Sequence, residues 1–218
     1  MPTPPRPPGV VSESLSHPLD IVDDRSYYMS MSRPNVREKL LQAGLDQFHR
    51  AGFNGTSVED ITDLAGVPKG SFYNHFESKE DLATEVVDRW CELSPRALLG
   101  DISVSPVKRL KRYFTALSEM EPGYKRGCLL GNFSSELADH SEPVRRRLET
   151  AFDAWVKLIA SVIKEAQEAG EVDSKVKPEQ LAGVLLSTFE GALLRVRAAN
   201  DPKALKEFLG VGFSRLIG

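Results

Sequence analysis

The chain has 218 residues, 41% hydrophobic and 27% charged, enough for a small domain and a larger second one each to bury a core. No apolar run approaches the roughly 20 residues a membrane helix needs, and the first residues carry neither the basic stretch nor the apolar core of a secretion signal. Two cysteines make no disulfide framework, so a cytoplasmic protein is expected, and a net charge of −3 excludes a uniformly basic nucleic-acid binder.

Residues 1–33 hold Pro2, Pro4, Pro5, Pro7, Pro8 and Pro18 with scattered Ser and Asp, no periodicity and little to bury. They are expected to be a disordered Pro-rich tail, with Met29 and Met31 as alternative translation starts. From Asn35 the pattern is helical: Val36, Leu40, Gly44 and Phe48 recur at i+4, and Gly52 follows the last turn. Ser57, three residues before Asp60, has the spacing of a capping box for a helix running to Ala65. Gly66 permits a sharp corner, and Pro68 suits the first turn of a second short helix, about residues 68–75. Two short helices joined by a glycine turn are a helix-turn-helix, and the second of them enters a major groove.

The faces of that second helix divide cleanly. Phe72 and Phe76, four apart, belong to the core, while Lys69, Gly70, Ser71, Tyr73, Asn74 and His75 offer a cation, a close-approach glycine, small polar groups and a phenol. Lys79 opens the next helix, where its ammonium can meet a phosphate. Residues 33–90 carry seven Lys/Arg against ten Asp/Glu, so attraction to DNA must be local. Arg33, Arg37 and Lys39 cluster at the entrance, and Lys69 and Lys79 flank the recognition helix.

Ser78 caps a helix expected over about residues 78–94, carrying Leu82, Val86 and Trp90, and Pro95, Gly100 and Pro106 mark the passage to a second domain. There Val107, Leu110, Phe114 and Leu117 form one helix and residues 128–138 another. Ser141 caps a long one through Val144, Leu148, Phe152, Trp155 and Ile159, ended by Gly170. Pro178 opens the next, and Asp201-Pro202 the last. The fold class is all-α with about nine helices, divided into a tail (1–33), a DNA-binding domain (34–95) and an effector-binding and dimerisation domain (96–218). In the last two helices Val184, Leu185, Leu186, Phe189, Leu193 and Leu194 cover more than one face, while Gly191, Gly210 and Gly212 permit close approach. They are either inner core helices of a monomer or half of a four-helix dimer interface.

The pattern Gly52-Phe53, Thr56-Ser57-Val58, Ile61, Ala65-Gly66-Val67, Lys69-Gly70-Ser71-Phe72-Tyr73, His75-Phe76, Lys79-Glu80 and Leu82 resembles the TetR family of transcriptional regulators across roughly residues 35–90. The resemblance implies a homodimeric repressor bound to double-stranded operator DNA and released by a small-molecule effector. It places Lys69, Gly70, Ser71, Tyr73 and Asn74 in the groove, with Thr56, Ser57, His75 and Lys79 on phosphates to either side. It also implies dimerisation through the last two helices.

Cys128 follows Lys125, Arg126 and Gly127 at a helix start, where cations and the helix dipole favour thiolate; a buried free cysteine is equally a small hydrophobe. The run from Gly127 to Leu137, with Ser141-Glu142, resembles the branch of repressors of N-ethylmaleimide reductase and of acrylate metabolism. That resemblance implies that Cys128 senses an electrophile, by alkylation or oxidation, or else forms part of the wall of a non-covalent pocket; Arg197 stands where a partner lysine would be expected and cannot act as an amine nucleophile. Cys91, beside Trp90, reads as packing. The effector pocket is expected to draw on Tyr113, Phe114, Asn132, Phe133, Phe152, Trp155 and Phe189. Singly each reads as core; together they leave room for an apolar or aromatic effector with a few polar anchors. The four histidines, His17, His49, His75 and His140, lack metal-ligand spacing, and no nucleophile elbow or phosphate loop occurs, so neither an enzyme nor a bound cofactor or metal is expected. A helical protein-binding adaptor would explain the amphipathic helices but not the residues from Lys69 to His75.

Overall fold

The described residues, 35–120 and 123–217 of a computed structural model, hold nine helices and no strand when the last, interrupted helix is counted once. The expected tail over 1–33 lies outside them. Asn35 caps α1 (Val36–Ala51), its side chain accepting from Glu38 N at 2.8 Å. Ser57 and Asp60 close the expected capping box on α2 (Val58–Ala65), whose C-cap Gly66 takes the left-handed φ of 66° that reverses the chain into α3 (Gly70–Tyr73). Regular α-structure in α3 is shorter than the expected 68–75. Its ends continue as bonds from Ser71 N to Pro68 O and from Phe76 N to Phe72 O. Ser78 caps α4 (Lys79–Glu92), as its side chain accepts from Asp81 N.

A short 3₁₀ turn (Arg96–Leu99) leads to α5 (Pro106–Glu119), and a second one (Gly123–Arg126) to α6 (Leu129–Leu137). The longest helix, α7 (Glu142–Glu168), packs against α4, α5 and α8 (Pro178–Ala199). The last helix, α9, begins at Lys203–Glu207, passes a π turn at Phe208–Gly212 and ends as Phe213–Ile217.

Aromatic contacts set the core. Phe114 meets Phe189, Phe208 and Phe213 at ring distances of 5.1, 5.4 and 6.2 Å, joining α5, α8 and α9. Phe48 meets Phe53 and Phe133 at 5.5 and 5.6 Å, joining α1 to α6. Arg89–Glu38 (2.9 Å) and Arg37–Glu85 tie α4 to α1, and Arg147–Asp88 ties it to α7. The three-helix reader is thus fastened along both α4 and α6.

Candidate DNA-reading face and effector cavity

Phe72 is fully buried and Phe76 nearly so, while Tyr73 is 60% exposed, so the division of faces read from the sequence is present. Lys69, Gly70, Asn74 and His75 are exposed around Tyr73, with Ser71 half-buried, and a Cβ on Gly70 would meet open space. Lys69 pairs with Glu59 at 3.3 Å on the open surface, a contact that a phosphate can displace at small cost.

Two residues expected at phosphates have inward tasks. Thr56 is 2% exposed, and its hydroxyl donates to Gly52 O at 2.7 Å, closing the loop between α1 and α2; its side chain is not on the surface. Lys79 donates to Phe53 O (2.9 Å) and Thr56 O (2.7 Å) with its ammonium 4.1 Å from the Phe53 ring centroid. Two of its three N–H donors are therefore committed to carbonyls of the loop between α1 and α2. Ser57 is exposed, but its side chain is engaged in the cap, which holds the Asp60 carboxyl below its ordinary range.

The larger part of the molecule encloses a cavity of about 480 Å³. Its walls are Trp90 and Cys91 of α4, Ser94 and Arg96 beyond it, Tyr113 and Leu117 of α5, Gly127 and Cys128 before α6, Ala151, Trp155 and Leu158 of α7, and Phe189 and Leu193 of α8. Of the residues expected there, Cys128, Tyr113, Trp155 and Phe189 line it. Phe114, Asn132, Phe133 and Phe152 do not. Phe114 belongs to the α5–α8–α9 aromatic core and Phe133 to the α1–α6 contact. Phe152 packs partly buried against the core. Asn132 turns away, donating to Arg126 O at 2.9 Å and accepting from Arg197. Cys91, read as packing, is in the cavity wall.

The cavity's polar groups are few. Tyr113 Oη and Ser94 Oγ are 2.8 Å apart, and burial pushes the phenol's pKa up. The Trp155 indole N–H lies near that phenol but is aligned with no acceptor among the described residues, leaving a buried free donor there. The side chains of His49, Arg96 and Lys157 border the space, and among the described residues no acidic one does.

Cys128 does not have the electrostatics expected for it. Burial raises its thiol well above the ordinary value, and the charge of Glu190 adds to that; the backbone N–H groups of Gly131 and Leu130 at the helix start are outweighed. Burial likewise raises Cys91. Both are thiols at neutral pH.

Sequence reasoning missed His49. It stands four residues after Leu45 on the apolar side of α1 and is 6% exposed. Its Nε2 donates to Gly127 O at 2.9 Å, its ring meets Trp90 at 4.6 Å, and it lines the cavity. Burial lowers its pKa, so the neutral ring is the resting form. A polar residue on a buried stripe was the available signal. At the other end of α6, the Glu136 carboxylate accepts from Asn54 N at 2.9 Å. Both ends of α6 are thus bonded to the reader: the turn that carries Cys128 to α1, and Glu136 to the loop that precedes the reading helices.

A helix-turn-helix with its reading face outward, fastened to a helical bundle with an apolar cavity, defines a DNA-binding regulator with a small-molecule compartment. Residues 40–86 match the model of bacterial regulatory proteins of the tetR family, and residues 106–210 that of the tetracyclin repressor-like C-terminal domain. The HTH-type transcriptional repressor DhaR of Mycobacterium sp. (strain GP1) is 42% identical, over 86% of this chain and 95% of DhaR. The transcriptional regulator AcuR of Cereibacter sphaeroides is 32% identical, over 79% of this chain and 81% of AcuR. Among solved structures, the reduced form of E. coli NemR superposes with a TM-score of 0.75 at 25% identity, covering 84% of this chain and 97% of NemR. The chain belongs to the TetR family of transcriptional regulators. Among the described residues no three His, Cys, Asp or Glu side chains gather as metal ligands, and no helix is long and apolar enough to cross a membrane.

Proposed function

We propose that this protein is a cytoplasmic repressor that binds a palindromic operator as a homodimer and leaves it when a small effector fills the cavity. One observation carries the reading: Tyr73 stands outward at 60% exposure beside a fully buried Phe72. A four-residue α3 reads too few base pairs to be specific alone, so two copies are needed. Ser57, Lys69, Gly70, Ser71, Tyr73, Asn74 and His75 form the contact set, with the third Lys79 N–H turned to a phosphate.

The dimer forms through α8 and α9. Val184 (50% exposed), Leu194 (54%) and Val211 (64%) stand out as apolar side chains, and Gly183, Gly191 and Gly210 face open space that a second copy fills. Repression follows because such a dimer on a promoter blocks polymerase. Selection of bound genomic fragments, followed by footprinting, tests this. Two inverted half-sites about one helical turn apart, roughly 34–36 Å or a multiple of it, are expected. Protection of a single unrepeated half-site would contradict it.

The effector is apolar or aromatic, with an acceptor group for the free Trp155 N–H. A second, covalent reading is favoured by the place of Cys128 in the cavity wall and by the likeness to NemR, whose structure is that of a reduced form. In it, an electrophile alkylates Cys128 and so disturbs the Gly127–His49 bond.

A further inference from the structure

Glu190 lies on the inward stripe of α8 between Leu186 and Leu193, where a carboxylate has no packing role. The residue as a whole is partly exposed, yet its Oε1 is sealed from solvent and has no hydrogen-bond partner among the described residues. A Cβ on Gly131 would lie 2.7 Å from Oε2, so this carboxyl sits in a notch on the first turn of α6 that a side chain would fill. The polar group facing it there is the Cys128 thiol, close enough to interact although no aligned hydrogen bond joins them. An unpaired buried carboxyl is costly, and packing alone does not account for one.

We propose that Cys128 and Glu190 act as a thiol–carboxyl pair, in which Glu190 takes the thiol proton as Cys128 adds to an α,β-unsaturated carbonyl compound in the cavity. This rests on the reading of Cys128 as the covalent sensor. The Sγ–C bond forms at the β-carbon while the S–H proton moves to a Glu190 oxygen. The C=C π pair becomes an enolate, whose α-carbon then takes a proton from water, while Glu190 returns the thiol proton to solvent. The sum is addition of S–H across the double bond; nothing is oxidised and nothing leaves. A thiol kept protonated by burial needs such a base, because transfer during bond formation avoids a free buried thiolate.

The carboxyl suits the task, since burial raises it to about 7, where both of its forms are present at neutral pH. The charged and titratable groups that face the same turn include His49, which holds Gly127 O from α1 and rests neutral, and the arginines Arg126 and, on α8, Arg197.

The test is site-resolved mass spectrometry of the full-length protein treated with methyl vinyl ketone, following Cys128 and Cys91 separately. In the wild type the Cys128 rate should rise with pH to about 7 and then level off, whereas the Cys91 rate keeps rising toward its own ionisation. Glu190→Gln should slow Cys128 by at least about tenfold at neutral pH and leave Cys91 unchanged. If that variant fails to fold, the wild-type profile decides alone. A Cys128 rate that climbs in parallel with Cys91, or is as fast or faster in Glu190→Gln, overturns the pair and leaves the covalent sensor standing. Cys128 unmodified at every pH, with DNA still released by the compound, overturns both.

Discussion

Adjacent residues on α3 have opposite fates, and their variants should separate. Phe72→Ala removes a fully buried ring and should cost about 3–5 kcal/mol, read as a lower melting temperature. Tyr73→Ala should melt like the wild type and lose about 1–3 kcal/mol of specific DNA binding. Equal destabilisation would mean that the helix faces are assigned wrongly. His49→Ala should bind operator and effector yet release DNA poorly, because the bond to Gly127 that links α1 to the cavity is gone. Titrating operator release against effector concentration checks this; unchanged release would reduce His49 to a packing residue. Glu190 gives a pH signature. In the folded chain its carboxyl still holds a proton between about pH 4.5 and 7, where the unfolded chain has lost it, so wild-type stability falls as pH rises through that window. Glu190→Gln should therefore melt higher than the wild type at pH 8, by on the order of 2–3 kcal/mol, with the difference shrinking toward pH 5.

Among the helices, legibility followed from how local the determining contacts are. The caps Asn35, Ser57 and Ser78 act within three residues, so α1, α2 and α4 begin where the sequence says they do. The glycine turn at Gly66 is equally local. The cavity is not. Phe114, Phe133 and Phe152 carry the same aromatic signal as Tyr113, Trp155 and Phe189, and only the angles at which α5, α6 and α7 pack decide which of them reach the cavity. Lys79 shows a different limit. A cation at a helix start reads as a phosphate contact, and nothing nearby in sequence announces the carbonyls of Phe53 and Thr56, more than 20 residues earlier. Lys79→Ala should accordingly lower the melting temperature as well as weaken DNA binding. A loss of affinity with an unchanged melting curve would return it to a purely electrostatic role.

For the molecule as a whole, the proposed dimer makes specificity and control depend on a second copy. Leu194→Glu, on the outward apolar face of α8, should yield a folded monomer in sedimentation and abolish operator binding. A dimer that survives this change would move the interface elsewhere. The helix over 78–94 is not the reader's sole link to the bundle, because His49–Gly127 and Asn54–Glu136 form a second fastening through α6. That second fastening limits modularity. A chimera carrying the α1–α3 segment of another repressor, with another residue in place of His49, should recognise its donor's operator and stay on it when effector is added. Restoring that histidine along with the reading helix should give the hybrid back its hearing.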